Sequence, residues 1–261
     1  MPVNTDASGL DAPEEVDESA LPINEVFHSL QGEGRLAGVP STFVRTSGCN
    51  LRCWFCDSYH TSWEPTHGWF DVADVVEQVE THGGDHVVVT GGEPMIHDAV
   101  ADLLSELSSR GYHTTVETNG TVFRDTAVDL ASISPKLATS TPTAERPPAG
   151  GDADVGVWGD RHERDRLDYD ALASLVEAYD FQLKFVVTSR EDLAEIESLV
   201  DELRAVSSAR IRDADVLLMP EGTTPERLAK TRGLTAELAL EHGYRYTPRL
   251  HVDLWNDAPG T

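Results

Sequence analysis

The chain has 261 residues, of which 39% are hydrophobic, with 20 basic against 46 acidic side chains and a formal net charge of −26. Length and apolar content suit a single large α/β domain with a real core and argue against a disordered chain; the negative balance repels polyanions and so excludes general nucleic-acid binding. Acidity spread along a globular chain with few lysines fits a salt-loaded cytoplasm, where dense carboxylates keep the surface hydrated and ions screen their repulsion.

Residues 1–21 are acidic, carry Pro, Ser and Gly, and read as a disordered tail. They contain neither the basic nor the apolar segment of a signal peptide, and no later run approaches the roughly 20 apolar residues that span a bilayer. A cytoplasmic protein without membrane association is expected, with its folded domain over residues 22–257.

Strand-like alternation begins near Ile23 in INEVFHSL, and STFVRTSG (41–48) forms the next strand. Residues 71–82 have helical spacing, with Val72, Val75, Val76 and Val79 on one face, and HVVVTGG (86–92) is a short buried strand ending in a glycine turn. A helix over 97–110 follows, then strands at 113–120 and 128–134, a helix at 169–179, and the strand FQLKFVV at 181–187. Helix 191–206, strand 215–220 and helix 225–242 complete the alternation before RYTPRLHVDLW closes the fold. Such alternation predicts a parallel sheet, and about six strands are too few to close an eightfold barrel, so an open partial (β/α) barrel is expected. Residues 139–168, rich in Pro, Gly and charge, read as a surface loop or insertion. His60, His67, His82 and His86 read as surface or loop residues.

The three cysteines, Cys49, Cys53 and Cys56, form CxxxCxxC and are the only ones in the chain. An odd, local set does not make a disulfide framework. Three thiolates on a tight loop can hold three irons of a [4Fe–4S] cluster and leave the fourth open to a cofactor, whereas an electron-carrying cluster takes four protein ligands. A Cys3His zinc site that adds His60, as in a non-catalytic zinc-binding module, and free reduced thiols stay open at this point.

CxxxCxxC with an aromatic, Phe55, before its last cysteine resembles the signature of radical S-adenosylmethionine enzymes. The turn Gly91-Gly92-Glu93-Pro94, which begins 35 residues beyond Cys56, matches their GGEP element. A glycyl-radical activase shares both motifs. The ordered set Gln31-Gly32-Glu33-Gly34, Phe43-Val44-Arg45, Cys56-Asp57-Ser58, Glu117-Thr118-Asn119-Gly120, Ser134-Pro135-Lys136, Gln182-Leu183-Lys184 and Arg249-Leu250-His251 goes further and resembles the 7-carboxy-7-deazaguanine synthase family. That resemblance implies a radical lyase that contracts 6-carboxy-5,6,7,8-tetrahydropterin to 7-carboxy-7-deazaguanine with loss of ammonia, using a [4Fe–4S] cluster, S-adenosylmethionine and Mg²⁺. It further implies a homodimer, a flavodoxin- or ferredoxin-type electron donor, and a product that feeds queuosine or archaeosine in tRNA.

Residue by residue, the resemblance assigns the cluster to Cys49, Cys53 and Cys56, and Mg²⁺ to Ser58, where the family usually carries Thr. It assigns the cofactor to Phe55, Gly92, Glu93, Glu117, Ser134, Lys136 and Gln182, and the substrate to Gln31, Gly32, Glu33, Arg45, Thr90 and His251. The chemistry suits those roles. An arginine forks onto a carboxylate, and an amide with a carboxylate matches a guanine-like edge. A hydroxyl oxygen is a hard ligand for Mg²⁺, and Gly32 lets backbone approach closely. Asp57 is expected to cap or orient the loop.

Overall fold

The computed structural model describes residues 19–148, 155–256 and 258. The strands are β1 (Ala20–Leu30), β2 (Pro40–Thr46), β3 (Gly68–Asp71), β4 (His86–Gly91), β5 (His113–Thr118), β6 (Leu130–Ile133), β7 (Phe181–Val187), β8 (Val216–Pro220) and β9 (Arg245–Tyr246). The helices are α1 (Tyr59–Ser62), α2 (Val72–Glu80), α3 (Val100–Ser109), α4 (Val155–Asp165), α5 (Tyr169–Ala178), α6 (Asp192–Val206), α7 (Pro225–His242) and α8 (Leu250–Trp255). One sheet holds all nine strands in the order β3-β1-β2-β4-β5-β6-β7-β8-β9. Pairing is parallel from β2 through β9, and β1 runs antiparallel to both β2 and β3. The sheet is open, as a partial barrel requires. Six full strands plus the two-residue β9 make up its parallel part.

Strand periodicity separates core from site, because successive side chains point to opposite faces. On β7, Leu183, Phe185 and Val187 join the core beneath the helices, while Gln182, Lys184 and Val186 face the concave side. On β4, Val87 and Val89 pack into that same core, leaving His86, Val88 and Thr90 for the inner face. The helices contribute Val75, Val76 and Val79 from α2 and Leu103, Leu104 and Leu107 from α3, all essentially inaccessible to solvent. Helix ends follow local chemistry: Asp168 accepts from Ala171 N at 2.9 Å to start α5, and Thr224 with Pro225 opens α7, which ends at Gly243 in the left-handed region.

Three expectations require correction. Residues 1–18 of the expected tail lie outside the described residues, but Ala20 and Leu21 belong to β1, with Leu21 fully buried against β3. The expected loop over 139–168 contains α4, and its residues 149–154 lie outside the described residues. Gly159 permits that helix to pack, since a Cβ there would sit 2.9 Å from Pro142 O. His86 is buried rather than superficial. It begins β4 on the inner face, with Nδ1 2.7 Å from Ser41 Oγ and Nε2 2.8 Å from Thr115 Oγ1.

Candidate active site

A cavity of about 480 Å³ opens at the C-terminal ends of the parallel strands, where α/β barrels place their chemistry. The loop after β2 carries the three cysteines along its wall. Gly48 starts that loop at φ +99°, with its N–H donating to Thr61 O at 2.8 Å and its carbonyl accepting from Glu93 N at 2.8 Å. The glycine turn after β4 therefore touches the cysteine loop through backbone alone. A Cβ on Gly92 would lie 2.1 Å from Gly48 O, so only glycine fits there.

The segment containing α4 braces the same loop from outside. Arg52 N donates to His162 Nδ1 at 3.1 Å, His162 Nε2 lies 2.8 Å from Ser140 Oγ, and Trp54 N donates to Ser140 O at 3.1 Å. The Arg52 guanidinium sits over the Trp158 ring, 4.3 Å from its centroid. Trp63 Nε1 donates to Cys53 O at 3.0 Å.

Burial raises the thiols of all three cysteines, and Glu93 adds to the effect at Cys49, which is pushed up to about 12. Metal coordination needs thiolates, so loading this loop releases protons. Leu51 N already points at Cys49 Sγ from 3.4 Å, and Ser62 Oγ lies 3.1 Å from Cys56 Sγ. Among the described residues no three His, Cys, Asp or Glu side chains converge on a position for one metal ion. The separate irons of a cubane make no such demand on the three thiolates, and the loop fits that group.

Of the residues that the resemblance assigns to the cofactor, Phe55, Gly92, Glu117, Ser134 and Lys136 line the cavity, and Lys136 Nζ donates to Ser134 O and Oγ at 2.7 and 2.8 Å. Glu93 and Gln182 do not. The fully buried Glu93 carboxylate accepts from Met95 N, Thr118 Oγ1 and Asn119 N, clamping the glycine turn to the end of β5. Asn119 carries that clamp to the cysteine loop, since its Nδ2 donates to Asn50 Oδ1 at 3.0 Å. Gln182 faces the concave side but sits one step too deep, bonded to Ser132 Oγ and Arg35 N.

The residues that the resemblance assigns to the substrate, Gln31, Gly32, Glu33, Arg45, Thr90 and His251, all line the cavity. Arg45 donates from Nε to Glu25 Oε1 at 2.7 Å and from Nη1 to Ser58 Oγ at 2.9 Å. Ser58 Oγ in turn lies 3.3 Å from Asp57 Oδ1. Phe27 and Phe43 stack with ring centroids 5.0 Å apart and give this wall a flat apolar surface.

Among the lining residues that the sequence reading did not assign are Lys184, Arg249 and Glu25. Lys184, 3% exposed, donates to Glu33 Oε2 at 2.7 Å and to Glu117 Oε2 at 2.8 Å. Arg249 reaches Glu33 Oε1 at 3.1 Å and also pairs with Asp57, so Asp57 joins the cavity's charge network rather than only shaping its loop. Burial alone would raise the Glu33 carboxyl, but Lys184 and Arg249 outweigh it and hold it well below the usual range. Desolvation likewise opposes the Lys184 charge, and Glu117 with Glu33 overcomes it, raising the ammonium above its ordinary value. A clue was present in the sequence: Lys184 lies two residues from Gln182 and so shares its face.

A cysteine loop joined to a Gly-Gly turn at the mouth of an open parallel barrel defines a radical S-adenosylmethionine enzyme, and the model of the Radical SAM superfamily matches residues 43–136. Such membership implies a [4Fe–4S] cluster and S-adenosylmethionine. Within that class the chain belongs to the 7-carboxy-7-deazaguanine synthase family. It is 62% identical over 246 residues to the 7-carboxy-7-deazaguanine synthase of Halobacterium salinarum, covering 94% of each chain. It is 40% identical to that of Rhodopirellula baltica, over 94% of this chain and 90% of the relative. The crystal structure of QueE from Escherichia coli shares the fold, with a TM-score of 0.64 at 24% identity over 89% of this chain and 95% of that one. Similarity along nearly the whole length to an enzyme of a salt-adapted organism disfavours the zinc-module and activase readings and agrees with the acidic composition. Among the described residues no helix is long and apolar enough to cross a membrane.

Proposed function

We propose that this chain converts 6-carboxy-5,6,7,8-tetrahydropterin to 7-carboxy-7-deazaguanine with loss of ammonia. The observation that carries this reading is the shared cavity, in which the three thiols face a carboxylate–cation network and a paired aromatic wall. Cys49, Cys53 and Cys56 would hold a [4Fe–4S] cluster, and with S-adenosylmethionine it would supply the radical chemistry for hydrogen-atom abstraction at this cavity.

The protein's own residues bind, orient and shield. Arg45 meets the substrate carboxylate, oriented by Glu25 behind it. Gln31 and Glu33 take the guanine-like edge, and Phe27 with Phe43 flanks the flat ring. Phe55, Gly92, Glu117, Ser134 and Lys136 surround the cofactor. Glu93 and Gln182 act from behind as supports for that wall. Thr90 and His251 border the substrate, and Ser58 would hold Mg²⁺ through its hydroxyl oxygen. The working protein is a homodimer in the cytoplasm, reduced by a flavodoxin- or ferredoxin-type donor, and its product feeds queuosine or archaeosine.

Anaerobically reconstituted protein incubated with S-adenosylmethionine, reductant, Mg²⁺ and the carboxy-tetrahydropterin should yield the deazapurine by mass detection. Omission of Mg²⁺ and the Ser58→Ala variant should each slow turnover. A loaded protein that leaves the pterin unchanged would overturn the reading.

A further inference from the structure

A guanidinium cannot shed its charge inside a protein, so a buried arginine reveals what its surroundings must supply. Arg249 is 4% exposed and lies just before α8. Its Nε donates to Glu33 Oε1 at 3.1 Å, its Nη1 to Gly222 O at 2.8 Å, and its Nη2 to Asp57 Oδ2. Those acceptors belong to three different segments: the loop after β1, the loop after β8, and the cysteine loop. Backbone contacts seat the C-terminal segment on the first of them, with Leu250 N donating to Gly32 O at 2.9 Å and Gly34 N donating to Thr247 Oγ1 at 2.7 Å. His251 then lies against Gly32, where a Cβ would fall 2.0 Å from Nδ1.

The consequence falls on Glu33. A carboxylate has about four lone-pair sites. Arg249 takes one on Oε1 and Lys184 takes one on Oε2. Each oxygen keeps an acceptor position, and the two cations on opposite sides fix the plane of the carboxylate. The result is a two-toothed acceptor, suited to a ring that presents two adjacent N–H donors, as a 2-amino group beside a ring N–H does.

We propose that Arg249 is a positioning residue that acts through Glu33: it fixes the carboxylate as a paired acceptor for the amino-pyrimidinone edge of the substrate and so sets selectivity for 2-amino rings. This inference rests on the functional reading above and adds to it a residue and a specificity.

The test uses anaerobically reconstituted holoenzyme in wild-type, R249M, R249K, E33Q and R249M/E33Q forms. Binding of the carboxy-tetrahydropterin is titrated without reductant, KM and kcat are measured with it, and the 2-desamino analogue is compared. R249M should raise Kd and KM roughly 10- to 100-fold, the range for losing charge-assisted hydrogen bonds, with a smaller change in kcat. Its preference for the 2-amino ring over the analogue should collapse toward unity. R249M/E33Q should be no worse than E33Q alone, because the arginine acts through that carboxylate. R249K, which keeps the charge without the fork, should fall between wild type and R249M, and it keeps the test readable where R249M folds poorly. Unchanged selectivity in R249M and R249K, or penalties for R249M and E33Q that add, would overturn the role of Arg249. A wild-type protein that fails to bind the pterin would instead overturn the functional reading on which it rests.

Discussion

Arg45 and Glu25 stand opposite each other across the β1–β2 ladder, and the guanidinium Nε donates to the Glu25 carboxylate at 2.7 Å. The antiparallel register places them directly opposite and on the concave face, so the acid aims the base into the cavity. Glu25→Gln should weaken that aim without touching the cysteine loop. We expect KM for the pterin to rise about tenfold, the scale of one charge-assisted hydrogen bond, with iron content per chain unchanged. Steady-state kinetics and iron assay on the same preparation check this.

Lys184 is a buried cation shared by Glu33 and Glu117. Lys184→Met should destabilise the protein by about 3–5 kcal/mol, because it removes the cation that the two carboxylates share, and only Glu33 keeps an arginine. The pH window follows from the directions of the shifts. The Glu33 carboxyl is held low, so its contribution is present above the ordinary carboxyl value of about 4.3 and fades as pH falls through its lower folded value. The Lys184 ammonium is held high, so its contribution is present below about 10.4 and fades as pH rises through its higher folded value. Urea unfolding should therefore show the deficit of Lys184→Met throughout pH 5–10, and a deficit confined to one end of that range would contradict the shared-cation reading.

Gly92→Ala tests the contact between the glycine turn and the cysteine loop. The added Cβ would meet Gly48 O at 2.1 Å and Thr61 O at 2.8 Å, both backbone atoms that cannot swing aside. The cysteine loop must shift, so the variant should load several-fold less iron than wild type under identical reconstitution. Iron assay and visible absorbance read this out, and wild-type loading would show that the loop tolerates the displacement.

His86 and His162 are both buried and held down to about 4, chiefly by desolvation, with His113 and Lys136 respectively adding repulsion. A histidine depressed in the folded state stabilises above its unfolded pKa of about 6.5 and loses that contribution as pH falls toward the folded value. Each should cost about 2 kcal/mol between pH 7 and pH 5. His86→Gln, which keeps hydrogen-bonding capacity towards Ser41 and Thr115, should flatten the pH dependence of urea unfolding in that interval. An unchanged slope would place the acid sensitivity elsewhere.

Much of the site was legible because its pieces are local. Three cysteines within eight residues and a Gly-Gly turn after a valine strand need no tertiary information to be found. The resemblance also pointed to Gln182, near the start of β7. It did not give the depth: Gln182 fills the barrel beneath the cavity and Lys184, one pleat higher, reaches it. Glu93 misled for a similar reason, since a motif fixes a backbone path while its carboxylate turned inward to the end of β5. Helix α4 was hidden by its glycine- and proline-rich surroundings, and it is held in place by packing against Arg52 and Ser140 rather than by helix propensity.

The alternation of strands and helices, the cysteine loop and the chemistry it admits follow from residue order along the chain, because these depend on side-chain period and on ligands close together in sequence. Long-range packing alone set Arg249 against Glu33 across 216 positions and put Lys184 between a carboxylate from the loop after β1 and one from β5. Such pairings depend on which segments the open sheet brings to its upper rim and how far each side chain stands along the barrel axis. Neither quantity is written in any local pattern, since a one-pleat change in depth leaves the alternation of apolar and polar residues intact.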